Sequence, residues 1–169
     1  MTKKGIVSGY GDGTFCPNLP LTREAFVKII VGAFYPDVQG FKTSTVFSDV
    51  KSEKGYSMYI NIAYENGIIN GISDTEFGIG QNITREDMAV MLYRILLNKL
   101  EIDHEVPMDK TFKDKESISE YALNSVLMLS ANGDISGDDT GNFNPKKGAT
   151  RAEACQMIYN SIAGEGGSK

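Results

Sequence analysis

Gly67-Ile68-Ile69-Asn70-Gly71, followed by Phe77 and then by Thr84-Arg85, is the stretch that decides the fold, because the same spacing recurs three times in 169 residues. Gly5, Gly9, Phe15 and Thr22 keep the separations of Gly67, Gly71, Phe77 and Thr84, and so do Gly133, Gly137, Phe143 and Thr150. Each Thr is followed by an arginine: Arg23, Arg85 and Arg151. Self-similarity at fixed internal spacing marks a repeat architecture. A feature present three times points to a binding element rather than to one catalytic centre.

Each Thr-Arg pair is predicted to open a helix. Apolar or small residues follow the Arg at helical spacing: Phe26, Ile29, Ile30, Ala33 and Phe34 in the first repeat, Met88, Met91, Leu92, Ile95 and Leu96 in the second, Ala154, Met157, Ile158, Ser161 and Ile162 in the third. The Thr hydroxyl suits the N-cap. Thr150 with Glu153 forms a capping box and Thr84 with Asp87 a shorter-armed one, whereas the first repeat has Ala25 there and Glu24 one residue earlier. Pro36 ends the first helix.

Before each Thr lies a loop rich in Gly, Asp and Asn, with one Phe to pin it to the core. Repeats two and three also carry a leading helix, over 59–66 and 123–132, which ends at Gly67 or Gly133 in a left-handed C-terminal cap. Upstream of each stands Phe-x-Asp: Phe47-Ser48-Asp49 and Phe112-Lys113-Asp114. The first repeat has no such leading half. The expected organisation is one structural domain of three repeats, over 1–36, 47–100 and 112–163, with 36–46 and 97–111 as linkers and 164–169 as a flexible or appended tail.

The composition is that of a globular chain, 41% hydrophobic and 23% charged, with a net charge of −5. General attraction to nucleic acid or to anionic membrane is not expected. No apolar run has the length of a membrane span, and the start does not read as a signal peptide. Cys16 and Cys155 lack metal-ligand spacing and recur in no other repeat, so free or merely packed thiols are expected. The Asp-rich loops are not EF-hands: counting twelve positions from Asp12, Asp74 and Asp138 reaches Arg23, Arg85 and Ala149 instead of Glu. His104, the one histidine, sits among acids with no nucleophile motif nearby. No metal site, cofactor or catalytic residue is read from the sequence.

Gly5-to-Pro17 followed by Leu21-Thr22-Arg23-Glu24 resembles the S-layer homology (SLH) repeat. So do Phe47-Ser48-Asp49-Val50, Ala63-to-Gly71 and Ile83-Thr84-Arg85-Glu86, and so do Phe112-Lys113-Asp114, Gly133-to-Gly137 and Thr150-Arg151-Ala152-Glu153. The resemblance covers roughly residues 5–163. It implies an all-α pseudo-threefold trimer within one chain. It also implies a non-catalytic anchor for exported proteins on the bacterial cell surface. The implied partner is a secondary cell-wall polysaccharide bearing ketal-linked pyruvate and attached to peptidoglycan, held in grooves between neighbouring repeats. The implied glycan contacts are Arg23, Arg85, Arg151, Asp49, Asp114, Gly9, Gly71 and Gly137. Departures from the family pattern are the missing early Trp, for which Tyr56 or Tyr121 is the expected substitute, the missing Pro after Phe77, Asp134 in place of Ile, and the missing first Phe-x-Asp.

The arginines also call for a physical reason. At the first helical position a positive charge meets the positive end of the helix dipole. A carboxylate ligand supplies a reason, since guanidinium grips it with two parallel hydrogen bonds. The alternative is that each Arg pairs with Asp49, Asp114 or a loop Asp and ties repeats together. Asp49 and Asp114 equally suit helix N-caps. Tyr10, in a Gly-rich loop, is the expected sugar-stacking platform. A second functional reading is a protein-assembly module that self-associates through the incomplete first repeat, with Ile6 and Val7 as its apolar patch.

Overall fold

The computed structural model describes residues 9, 12–37, 45–99 and 111–164. Its helices are α1 (Arg23–Phe34), α2 (Ser57–Glu65), α3 (Arg85–Lys99), α4 (Glu120–Ala131) and α5 (Arg151–Gly164). A 3-10 turn at Lys115–Ser117 precedes α4. Among the described residues β-pairing is limited to three isolated bridges, so the fold is all-α, as expected.

Thr22, Thr84 and Thr150 cap α1, α3 and α5, their hydroxyls accepting from the N–H groups of Ala25, Asp87 and Glu153. Only Thr150 completes the box, its own N–H donating to the Glu153 carboxylate at 2.7 Å. The leading helices α2 and α4 end in paired bonds. Gly67 N–H reaches Tyr64 O and Ile68 N–H reaches Ala63 O, and Gly133 and Asp134 do the same with Ser130 and Leu129. Gly67 and Gly133 take φ of +67° and +81°, the left-handed turn that this cap requires.

The three repeats close into a ring at their loops. Leu21 N–H donates to Ala149 O, Ala149 N–H to Ile83 O, and Ile83 N–H to Leu21 O, each at 2.9 Å. All three residues are buried, so these backbone groups have no water to turn to. Around this triangle α1 packs against α2, α3 packs against α4, and α1 touches both α3 and α5. The second helix of one repeat therefore lies on the leading helix of the next. Neither α2 nor α4 makes a comparable contact with α5 among the described residues. Tyr93 on α3 is 8% exposed, whereas Tyr159, at the same place on α5, is 56% exposed.

Phe26, Phe77 and Phe143 are the largest fully buried side chains. The Phe of each Phe-x-Asp leans on the loop Phe of its own repeat, with ring centres 5.9 Å apart for Phe47–Phe77 and 5.2 Å for Phe112–Phe143. Gly71 fits where no side chain does: a Cβ there would stand 2.5 Å from Glu76 O and 2.6 Å from the Phe47 ring, at φ +77°. Gly67 has a similar φ but open space around it. Gly71→Ala is therefore expected to cost about 3 kcal/mol of unfolding free energy, and Gly67→Ala about 1 kcal/mol. Urea titration of both variants checks this, and equal losses would refute the steric account.

Candidate functional site

The Thr-Arg pairs form the repeat junctions. Arg23 Nε donates to Phe77 O at 3.1 Å, Arg85 Nε to Phe143 O at 2.8 Å, and Arg151 Nε to Phe15 O at 3.1 Å. Each guanidinium also lies over the ring of that same Phe, at 5.3, 4.9 and 5.0 Å from its centre. Every arginine thus grips the loop of the following repeat, with the third reaching round to the first. All three are nine-tenths buried or nearly so.

The acidic partners of Arg23 and Arg85 are not Asp49, Asp114 or a loop Asp. Arg23 Nη1 pairs with Asp87 at 3.1 Å, and Arg85 Nη1 with Glu153 at 3.2 Å. Both acids stand in the first turn of the next repeat's helix, at the position that Ala25 occupies in the first repeat. The shorter Asp87 closes no capping box and its carboxylate serves Arg23 and the Tyr121 hydroxyl, whereas the longer Glu153 pairs with Arg85 and still reaches Thr150 N–H.

Asp49 and Asp114 face their own loops. Asp49 accepts from the N–H groups of Phe77, Gly78 and Ile79, and Asp114 from those of Phe143 and Asn144, all within 2.7–2.9 Å. Asp114 stands at the N-cap place of the 3-10 turn, but its side chain makes no cap bond there. Partial burial alone would raise the Asp49 carboxyl, but the three N–H donors outweigh it and hold the group below its ordinary 3.8. These bonds stabilise a tight turn: the residue after each loop Phe is left-handed, at φ +50° for Cys16, +92° for Gly78 and +58° for Asn144.

Two clefts open beside the arginines. The first, about 450 Å³, lies between repeats one and two and is lined by Arg23, Gly71, Ile72, Asp87 and Arg94, with Tyr121 at its edge. The second, about 250 Å³, is built from the same positions one repeat later: Arg85, Gly137, Asp138, Glu153 and Asn160. The structure therefore brings Arg23 together with Gly71, and Arg85 together with Gly137, while Asp49 and Asp114 line neither cleft. Gly9 repeats the steric role of its counterparts, since a Cβ there would meet Thr14 O at 2.7 Å. Tyr10, Ile6 and Val7 lie outside the described residues.

Sequence reasoning missed Glu86 and Arg94. Glu86, 3% exposed, accepts from Ser119 N–H and hydroxyl, from the Tyr121 hydroxyl and from Lys146 Nζ, and so ties α3 to the start of α4. Burial works against its charge, but these donors hold the carboxyl below the usual range. Arg94 Nη1 donates to Ile68 O at 3.3 Å, as Asn160 Nδ2 does to Asp134 O at 3.1 Å. Tyr121 stays a donor, because burial and the charges of Asp87 and Glu86 push its hydroxyl up. Tyr56 immediately precedes α2 and makes no cap bond from its side chain. Cys16 and Cys155 are free thiols. No helix among the described residues is long and apolar enough to cross a membrane.

The family model of the S-layer homology domain matches residues 1–27, 46–89 and 111–155. The chain belongs to the S-layer homology family. Three SLH repeats account for the threefold ring of arginines and loops, and the first match is the shortest. The chain is 33% identical over 98% of its length to an amylopullulanase of Thermoanaerobacterium thermosulfurigenes, of which it covers 9%. It is 29% identical over 94% of its length to a surface-layer 125 kDa protein of Lysinibacillus sphaericus, covering 13% of it. It is 27% identical over 93% of its length to a cellulosome-anchoring protein of Acetivibrio thermocellus, covering 35% of it. The SLH chain thus spans about a third or less of each of these relatives.

Two outcomes follow for this site. A carboxyl held below its ordinary value stabilises the fold above the unfolded-state pKa, and that stability is lost as pH falls through the lower, folded-state pKa. Asp49→Asn should therefore lose stability at neutral pH yet show a flatter decline below about pH 4 than the unaltered chain, as read by urea midpoints across pH. Arg23→Ala leaves Phe77 O and the Asp87 carboxylate without their partner and should cost about 2–3 kcal/mol by the same titration.

Proposed function

We propose that the chain is a non-catalytic anchoring module of the bacterial cell envelope, which holds an exported protein to a secondary cell-wall polysaccharide attached to peptidoglycan. One observation carries this reading: the same cleft is built at two successive repeat junctions from an arginine, a close-packed glycine and the first turns of a helix. Repeated equivalent clefts suit a polymer, which presents the same unit many times. A surface-layer protein and a cellulosome-anchoring protein among the relatives support the extracellular location. The match to the amylopullulanase is confined to 9% of that protein, which supports a separable module without activity of its own.

In this reading the anionic substituents of the glycan, ketal-linked pyruvate being the expected one, are met by guanidinium groups at one or more of the repeat junctions where Arg23, Arg85 and Arg151 stand. Gly9, Gly71 and Gly137 let a sugar approach the backbone, and Tyr10 offers a stacking face. Asp49 and Asp114 act as positioning residues, holding the loops on which the arginines rest. The chain's −5 net charge is no obstacle, because recognition is local.

The test is co-sedimentation of the purified chain with bacterial wall sacculi, beside sacculi stripped of their secondary polysaccharide. Retention on the intact wall only is the expected result. Equal retention on both would move the partner to peptidoglycan, and retention on neither would overturn the anchor reading for that wall.

A further inference from the structure

The two clefts share their frame but not their charge. The first holds Arg23 and Arg94 against the single carboxylate of Asp87. The second holds Arg85 and Lys147 against Asp134, Asp138 and Glu153. The difference falls on four matched positions: Ile68 against Asp134, Ile72 against Asp138, Gln81 against Lys147, and Arg94 against Asn160. On α1 the position that matches Arg94 is Gly32, so a cation stands there in one repeat of three.

The hydrogen bonds diverge in the same direction. In the second cleft all three guanidinium nitrogens of Arg85 are engaged, with Nη2 donating to Ser136 O at 3.2 Å and Nη1 sharing Glu153 with Lys147. In the first, Arg23 uses Nε and Nη1, and among the described residues its Nη2 makes no bond, although the side chain is only 7% exposed. Arg94, half-buried at the same cleft, makes one bond, through Nη1. Ile72, 46% exposed, adds an apolar surface beside these donors.

We propose that the two clefts divide the work. The cleft between repeats one and two reads a carboxylate-bearing sugar, with Arg94 and the Nη2 of Arg23 as its donors. The cleft between repeats two and three takes uncharged sugar. A carboxylate entering the second cleft meets Asp134 and Asp138, while the Arg85 guanidinium is fully engaged and Lys147 is paired with Glu153. In the first, each N–H···O⁻ bond is charge-assisted and made in partial shelter from water. For its natural ligand this inference rests on the anchor reading, while the charge division itself does not.

Two matched probes test the division: methyl hexopyranosides carrying either a pyruvate ketal or an acetone ketal on the same two hydroxyls. They differ only in carboxylate against methyl. Isotope-labelled protein is titrated with each and followed by amide shifts. The expected result is that the pyruvate ketal alone shifts Gly71, Ile72 and Arg94, and that Arg94→Asn, which copies the second cleft, weakens it about tenfold or more. Asn160→Ala is expected to leave it within about twofold, within the usual scatter of surface changes. Shifts centred on Ser136–Asp138, equal response to both probes, or no response to either would overturn the division. Arg94 makes a single bond, and an unchanged urea midpoint confirms that Arg94→Asn remains folded. Wall retention tells the two readings apart. Wall binding without the first-cleft response sinks the division alone, whereas first-cleft response without wall binding sinks the anchor reading alone.

Discussion

Three backbone hydrogen bonds, from Leu21 to Ala149, from Ala149 to Ile83 and from Ile83 to Leu21, run in one rotational sense around the molecule, and the rest of the structure hangs on them. Each joins a different pair of repeats. Closing the triangle requires three copies: two would leave a buried N–H and a buried C=O unpaired, each costing on the order of 1–3 kcal/mol. The helices are short, 9 to 15 residues, and such helices depend on tertiary packing for stability. The ring supplies that packing by placing the second helix of one repeat on the leading helix of the next.

The arginines belong to this ring as much as to any ligand. Their position at the start of a helix looks unfavourable by the helix dipole alone. The structure shows what offsets it: a carbonyl oxygen 2.8–3.1 Å away, the face of an aromatic ring, and for Arg23 and Arg85 a carboxylate from the following repeat. Tying repeats together and reading an anion are therefore not competing roles. A guanidinium has five N–H donors, and an arginine fixed by two or three of them presents the rest at little further entropic cost.

Local features were legible in the sequence because their causes are local. Thr before Arg gave the N-caps, the 3.6-residue stripe gave the buried faces, and Gly67 and Gly133 gave the left-handed helix ends. The leading helices run a few residues further at their N-termini than the apolar pattern indicated, α4 starting at Glu120 instead of Leu123. What stayed hidden spans repeats. Arg23 and Asp87 are 64 residues apart, and nothing in the spacing says that the first-turn acid of one repeat serves the arginine of another. Asp49 was identified as a functional residue, but its three N–H donors are backbone groups of a loop 28 to 30 residues away, and backbone donors have no signature in side-chain identity.

Arg94 escaped notice for a different reason. A search for what recurs finds the frame, and Arg94 is what does not recur. The frame is held by backbone bonds, by Thr, by the loop Phe and by the close-packed glycines, so those positions must repeat for the ring to close. Positions 68, 72 and 94 and their counterparts at 134, 138 and 160 line the clefts without completing the triangle, and the fold tolerates different residues there. Ile72 is 46% exposed, and Asp138 is fully occupied in its own turn by Thr140, Asn142 and Asn144. A threefold frame of this kind fixes where the clefts are and leaves their chemistry open. Their chemistry is therefore read from where the copies differ.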